Sequence, residues 1–177
     1  KGSLMSDLNE IMGALGQALG KTKKPIILHE PIFDQSEKIF LEKCIESTFV
    51  SSVGRYVNEF ENALSEFVGV KHVVLMQSGT AALQVALRAS GVAPGDEVMV
   101  PSLSFVATAN AVTYLGANPH FLDSDLHTLG MCPSILKDHL KASTYSESGQ
   151  IYNSKTRKPI TAIVPMHTFG HPCLIED

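Results

Sequence analysis

The sequence predicts an α/β fold in which a mostly parallel sheet is flanked by helices. Four short runs are predicted to be strands, at 72–76, 97–101, 118–123 and 160–166, and all but 118–123 are mostly apolar, as is typical of buried strands. Amphipathic helical patterns separate the first three runs, and glycine or proline turns mark their ends. Because strands that alternate with helices need crossover connections, neighbouring strands are expected to run parallel.

The first elements are predicted to be helical. Residues 6–20 place leucine, isoleucine and methionine at helical spacing behind Ser6 or Asp7, either of which can cap a helix. Residues 1–4 precede Met5 and are interpreted as the remnant of an expression tag. The chain proper is therefore expected to begin with an amphipathic helix.

A basic linker at 21–25 follows, and the stretch IILHEPIF after it is expected to be extended. Helices are predicted at 36–48 and at 57–67, the second ending at Gly69 because glycine suits the left-handed end of a helix. Beyond the apolar run 97–101, the segment VATANAVTYLG predicts another helix.

The last third contains a short helix, a polar segment and the final strand. The helix is expected to start at Pro133, since proline fits the first helical position. The polar stretch 143–159 is interpreted as an exposed hairpin or a flexible excursion before the apolar run 160–166.

Composition and charge exclude several functional classes. The 177 residues are 44% hydrophobic and 18% charged, as in ordinary globular domains. A net charge of −4 and a pI near 6.0 predict no nucleic-acid or anionic-membrane partner. Neither a run of the roughly 20 apolar residues that span a bilayer nor a secretory signal is visible, so a cytoplasmic location is expected.

The cysteines and histidines predict no metal site. Cys44, Cys132 and Cys173 are widely spaced without a CxxC pair, so they are expected to be buried or half-buried thiols. His167 and His171 are spaced like helical metal ligands, but the residues between them leave a strand instead of following a helix.

The strand–QSGT–helix unit at 72–90 predicts an anion site. A helix that begins at or just after Gly79 has unpaired N–H groups and the positive end of its dipole there. The Thr80 hydroxyl adds a donor, and together these groups suit a phosphate monoester. The alternative is a tight turn with an ordinary helix cap, which is common in α/β folds.

The loop after strand 97–101 places Phe105 at the carboxyl edge of the sheet, where ligands bind in such folds. An aromatic ring there can stack on a planar heterocycle, whereas the alternative is a phenylalanine that covers the core. A phosphate site and a stacking ring at adjacent strand ends would together suit an aromatic phosphate cofactor.

Three blocks carry a resemblance to a known family: GVKHVVLMQSGTAAL, PGDEVMVPSLSFVATANA and VPMHTFGHP, in this order. The chain resembles the DegT/StrS group of nucleotide-sugar aminotransferases, pyridoxal phosphate (PLP) enzymes of fold type I, over about 25–177. The resemblance implies the N-terminal part of an aspartate-aminotransferase-like large domain at 25–177, preceded by a helix and linker at 5–24. The segment FVSSVGRYVNEFE is similar to the corresponding segment in the branch of the family that makes 4-amino-4,6-dideoxy sugars for legionaminic acid and bacillosamine-type pathways.

The resemblance also implies site residues. Gly79, Thr80 and Ala81 correspond to the unit that binds the cofactor phosphate, and Phe105 to the aromatic residue that stacks on the pyridine ring. The turn Ser51, Ser52, Val53 and Gly54 corresponds to a segment near the sugar nucleotide.

No catalytic residue is assigned within the chain. The family's Schiff-base lysine lies well downstream of the H-x-F-G-H-P block, as does the aspartate that pairs with the pyridine nitrogen. Asp177 follows Gly170 too closely to be that aspartate and is expected to begin the next helix. We therefore expect the chain to be a fragment without its Schiff-base lysine.

The implied reaction transfers an amino group from glutamate to a nucleotide-linked 4-keto-6-deoxy sugar in bacterial surface-sugar biosynthesis, and a homodimer is implied. The alternatives are a non-catalytic fragment that binds PLP or phosphate, a dehydratase relative that uses pyridoxamine phosphate, and a plain nucleotide-binding domain. Of the histidines, His120 is expected to be structural, and His167 could contact cofactor or substrate because it ends a strand at the presumed ligand edge.

Overall fold

The structure, a computed structural model, describes residues 2–20, 25, 27 and 30–177, with side chains from Ser6 onward. The chain divides into two units, Lys1–Asn58 and Glu59–Asp177. Most of the predicted linker and part of the stretch IILHEPIF lie outside the described residues. Within the described part of the chain, no helix combines the length and apolar character needed to cross a lipid bilayer.

The first unit contains helix α1 (Gly2–Leu19), helix α2 (Gln35–Glu46) and the start of helix α3 (Arg55–Val68). All three predicted helices are confirmed. The predicted caps of the first are wrong, because α1 already begins at Gly2 and Ser6 and Asp7 lie inside it.

Helix α2 has sharply defined ends. Its cap is Asp34, whose side chain accepts from the Ser36 N–H, while Glu37 accepts from the Asp34 N–H in a reciprocal capping box. The helix ends at Glu46, two residues before the predicted end, because Thr48 adopts a left-handed φ of 64° that no helix can continue.

The second unit begins within α3 and alternates helices with strands. Its further elements are α4 (Gly79–Ala89), β1 (Glu97–Pro101), α5 (Val106–Tyr114), β2 (Asn118–Leu122), α6 (Pro133–Ser143), β3 (Thr144–Glu147), β4 (Gln150–Asn153), β5 (Pro159–Ile163) and a 3₁₀ turn (Thr168–Gly170). The predicted helices after 97–101 and from Pro133 are confirmed, as are the strands at 97–101, 118–123 and 160–166.

The sheet is mixed, with the strand order β2-β1-β5-β4-β3. Strands β2, β1 and β5 run parallel, whereas β3 and β4 form an antiparallel hairpin that continues the sheet from β5. The predicted hairpin in the polar stretch is thus confirmed, and it belongs to the sheet. Its turn, Ser148-Gly149, has positive φ at both residues, as in the type I′ turns that suit two-residue hairpins.

Helices cover both faces of the interior strand β1. Val98 and Val100 of β1 are fully buried in a cluster with residues of α4 and α5, including Leu87, Ala111 and Val112. Met99 points to the opposite face, where it packs with residues that precede α6 or lie in it. Burial on both faces explains why the whole of β1 is apolar after its first residue.

The predicted strand at 72–76 is wrong. The run is not part of the sheet, and Val74 is 76% exposed. An apolar run becomes a strand only when a neighbour completes its hydrogen bonds, and no strand among the described residues pairs with it. The Leu75 N–H in this run instead donates a hydrogen bond to the Glu61 carboxylate at 2.9 Å.

Candidate functional site

A cavity of about 480 Å³ lies at the carboxyl ends of β1 and β5, within the size range of small-molecule sites. Three of the predicted cofactor residues, Gly79, Thr80 and Phe105, are among the residues that line it. The rest of the lining comes from α4, α5 and the segment after β5: Leu83, Ala107, Thr108, Val164, Pro165, Met166 and His167. The cavity therefore has apolar walls with polar groups from three different elements.

One wall is the start of α4. Ser78 caps this helix in an extended conformation, and its hydroxyl accepts from the Ala81 N–H at 3.2 Å. The N–H groups of Gly79 and Thr80 belong to the first turn, where the helix itself provides no acceptor. The start of α4 thus brings two backbone donors, the positive end of a helix dipole and the Thr80 side chain together beside the cavity.

Ala81 differs from its two neighbours. It is half-buried and is not among the residues that line the cavity. Its N–H group is engaged by the cap, so an anion at the helix start would share or replace that hydrogen bond. A cofactor role for Ala81 stays a prediction.

The lining also includes an exposed aromatic ring, that of Phe105. Phe105 directly precedes α5 and is 70% exposed, although its side chain lines the cavity. The alternative that Phe105 covers the core is therefore wrong. The loop before it is braced, because the Ser104 hydroxyl contacts Thr108 Oγ1 at 2.8 Å and Met166 Sδ at 3.1 Å.

His167 lines the same cavity, whereas His171 does not. Nδ1 of His167 accepts a hydrogen bond from the Cys173 N–H at 3.1 Å. Within the described part of the chain, no three His, Cys, Asp or Glu residues gather as a metal site would require.

His120 belongs to a polar network at the amino end of β1, as expected for a structural residue. Its Nδ1 lies 2.7 Å from Glu97 Oε2, and the buried carboxylate also accepts from Asn153 Nδ2 and Thr156 Oγ1 at 2.8 and 2.6 Å. Burial alone would raise the pKa of Glu97, but these hydrogen bonds together hold it below its ordinary value. The network joins β1, β2 and β4 at the edge opposite the cavity.

His139 of α6 packs edge-on against His120, with ring centroids 4.8 Å apart. Its Nε2 is buried without a hydrogen-bond partner. Burial, followed by repulsion from His120, lowers the pKa of His139 and favours its neutral form.

The predicted substrate turn lies in the first unit. Ser51 and Gly54 line a cavity of about 670 Å³ there, together with Cys44, Arg55 and Tyr56. Ser52 and Val53 are exposed and do not line it. Contact between the turn Ser51–Gly54 and a sugar nucleotide stays a prediction.

Residues near the carboxyl terminus add no charged group to the site. Asp177 is exposed and lies outside any helix or strand. The cysteines match their prediction, because Cys132 and Cys173 are buried and Cys44 is half-buried. Among the residues that line the cavity at α4, none is a lysine.

Several lining residues had no signal of their own in the sequence. Leu83 and Thr108 each face the cavity from a helix whose start was predicted to be near it. Val164 and Pro165 belong to the predicted strand 160–166 but follow β5, and only their position at the strand end could have indicated a site.

Sequence comparison identifies the family. The profile of the DegT/DnrJ/EryC1/StrS aminotransferase family matches residues 31–177. The chain belongs to this family. It is 38% identical to the GDP-perosamine synthase of Caulobacter vibrioides over 143 residues, which cover 81% of this chain and 34% of that enzyme.

Comparison with solved structures agrees with this assignment. The family member from Brucella abortus superposes with a TM-score of 0.65 at 31% identity, over 82% of this chain and 39% of the other. NtdA of Bacillus subtilis, which carries bound cofactor PMP, gives a TM-score of 0.64 at 26% identity, over 88% and 34%. The chain thus spans about a third of the length of the curated relatives it matches.

Proposed function

We propose that this chain supplies the cofactor-binding part of a PLP-dependent aminotransferase. The reaction moves an amino group from glutamate to the keto carbon of a nucleotide-linked 4-keto-6-deoxy sugar, in the cytoplasmic biosynthesis of bacterial surface sugars. Membership of an aminotransferase family supports the reaction class. The name of the relative from Caulobacter vibrioides supports a nucleotide-linked amino sugar as product.

The donor set of the cavity fits a phosphorylated aromatic cofactor. A Cβ added to Gly79 would meet no atom within 4 Å, so the missing side chain leaves open space beside the backbone donors. In this proposal the Gly79 and Thr80 N–H groups and the Thr80 hydroxyl hold the phosphate, and Ala81 contributes when its cap hydrogen bond is released. Phe105 supports the ring from one side.

PLP, when bound, supplies the electron sink for amino transfer, and the protein provides its orientation. Leu83 and Val164 add apolar surface to the cavity, which strengthens the electrostatic attraction between α4 and the phosphate. The Schiff-base lysine and the aspartate opposite the pyridine nitrogen are proposed to lie outside these residues. This agrees with the Caulobacter vibrioides relative, of which the matched residues cover only 34%.

The turn Ser51–Gly54 is proposed to contact the sugar nucleotide, and the active enzyme is proposed to be a homodimer. Ser51 offers a hydroxyl at the larger cavity of the first unit, and Arg55 beside it is a cation suited to a diphosphate. The substrate role of these residues is tested by the same assay as the overall reaction.

The observation that carries the proposal is the convergence of Gly79, Thr80 and Phe105 on one cavity in a member of this family. The test supplies the full-length protein with PLP, ¹⁵N-glutamate and a nucleotide-linked 4-keto-6-deoxy sugar. Mass spectrometry should find the ¹⁵N label in the sugar nucleotide. A full-length protein that binds PLP but transfers no label to any keto-sugar nucleotide would contradict the proposed reaction.

Gly79→Ala is the matched test of the phosphate site. The new methyl group fills the open space beside the donors, so PLP affinity should fall at least about tenfold while the fold is retained. Gly16→Ala in α1 adds a methyl group that also meets no atom within 4 Å, and it should leave PLP affinity unchanged. If absorbance titration gave both variants the same PLP affinity, the proposed phosphate site at α4 would be wrong.

A second candidate function is PLP or phosphate binding without turnover. The cavity lining favours it for the isolated 177 residues, because it contains no lysine that could form a Schiff base. Label transfer by these residues alone would exclude this candidate.

A further inference from the structure

The cavity contains a third polar group that the phosphate and ring contacts leave unused, the imidazole of His167. It reaches the cavity from the segment after β5, whereas Gly79 and Thr80 belong to α4 and Phe105 precedes α5. His167 is exposed, so its ring is not part of the core. A polar ring at an independent position can contact a different part of the ligand.

The tautomer of His167 follows from its hydrogen bond. The Cys173 N–H can only donate, so Nδ1 of His167 must accept with its lone pair. In the neutral ring the hydrogen then lies on Nε2. His167 therefore carries one remaining polar group, an Nε2–H donor.

The chain after His167 is folded back to make this contact. Gly170 N–H donates to the His167 carbonyl at 3.0 Å, and Phe169 has a left-handed φ of 53°. These two features turn the chain within the 3₁₀ segment and return Cys173 to the ring of the residue that precedes the turn.

The returning segment is anchored to the body of the second unit. Thr168 is 3% exposed, and its hydroxyl donates to the Leu129 carbonyl at 3.1 Å. Cys173 is 7% exposed, and it lies so close to Gly130 that a Cβ there would approach the Cys173 Cβ to 2.7 Å. The acceptor and donor sides of His167 are thus fixed before any ligand binds, which lowers the entropy lost on binding.

We propose that the Nε2–H of His167 donates a hydrogen bond to an oxygen on the ring of the bound cofactor, separate from the phosphate held by α4. His167 is then a positioning residue, which fixes the rotation of the ring on Phe105. This inference rests on the proposed function, because it requires PLP to occupy this cavity.

Two substitutions separate ligand binding from a purely structural role. His167→Asn keeps an amide oxygen near the Nδ1 position for the Cys173 N–H, but it is too short to replace Nε2. His167→Gln places an amide N–H near the Nε2 position. If His167 acts by donating from Nε2 to the ligand, His167→Asn should be damaging and His167→Gln tolerated. If His167 acts only by accepting from the Cys173 N–H at Nδ1, the order of the two effects should be reversed.

The experiment titrates the purified protein and its variants with PLP and, separately, with inorganic phosphate. His167→Asn should weaken PLP binding about tenfold, as expected for one hydrogen bond, and leave phosphate affinity unchanged. His167→Gln should remain within about threefold of the wild type, and the control His171→Asn should match it. Long-range ¹H–¹⁵N spectra should place the His167 hydrogen on Nε2 and shift its signals when PLP is added.

Two results would overturn the inference: a His167→Asn protein that binds PLP like the wild type, or a hydrogen on Nδ1. Either one leaves the proposed function in place if the wild type binds PLP and Gly79→Ala weakens it. A wild-type protein that binds neither PLP nor phosphate would instead refute the cofactor site itself, and the role of His167 with it.

Discussion

At the scale of single residues, the most constrained group is the Glu97 carboxylate. Three donors from β2, β4 and the loop after β4 converge on it, and their residues lie 23, 56 and 59 positions away along the chain. No local pattern could predict such a network, because the sequence shows only a glutamate at the start of an apolar run. The proposed phosphate site, in contrast, has a local sequence pattern, because all of its donors lie within a few residues of Gly79.

His139 next to this network makes stability sensitive to acid. Its pKa is lowered in the folded state, so the folded protein resists protonation at His139 more than the unfolded chain does. Stability that is fully present above the ordinary value of 6.5 is therefore lost as the pH falls through the lowered pKa. Glu97, whose pKa is also lowered, adds a second loss only below 4.5.

We predict that His139→Phe flattens the pH dependence of stability between about pH 7 and pH 5. At neutral pH the variant should be at least as stable as the wild type, because it removes the buried and unpartnered Nε2. Urea unfolding at both pH values measures this. The exposed His127→Phe is the control, and an equal pH slope in wild type and His139→Phe would contradict the prediction.

At the scale of elements, the same apolar pattern had two outcomes. The run 97–101 forms an interior strand, since β2 and β5 flank it and helices cover both of its faces. The run 72–76 has an equally strong pattern, but no strand in the described part of the chain pairs with it. Periodicity reports which side chains avoid water, whereas a strand also requires a partner for its backbone.

Hydrogen exchange can test the state of this unpaired run. The amides of Val74 and Met76 should exchange rapidly, while that of Val100 in β1 should be strongly protected. Leu75 should be intermediate, because its N–H donates to Glu61.

Glu61→Ala should remove the protection of Leu75, and Glu66→Ala, on the same helix, should not. Slow exchange at Val74 in the 177-residue chain would mean that the run is paired after all.

At the scale of the whole molecule, the cavity proposed to bind the cofactor has no lysine in its lining. Family and fold were predictable because several sequence blocks lie in the right order, and Gly79, Phe105 and His167 from three of these blocks line one cavity. The mixed character of the sheet was not predicted from the polar composition of its hairpin, since β3 and β4 bury little apolar surface.

We predict that borohydride reduction of the 177-residue chain with PLP locks no cofactor onto the cavity. Intact mass before and after reduction measures this, and Gly79→Ala is the control for adducts on surface lysines. An adduct that forms in the wild type and is lost in Gly79→Ala would place a Schiff-base lysine within these residues and contradict the prediction.

Strand β1 begins at the Glu97 network and ends just before the loop that carries Phe105. Four steps of about 3.3 Å separate its first and last residues, roughly 13 Å, a distance at which substitutions usually act independently. Substitutions near Glu97 should therefore lower protein abundance, whereas substitutions near Phe105 should change ligand preference. The ligand contacts at one end of β1 can therefore change without loss of the structural network at the other end.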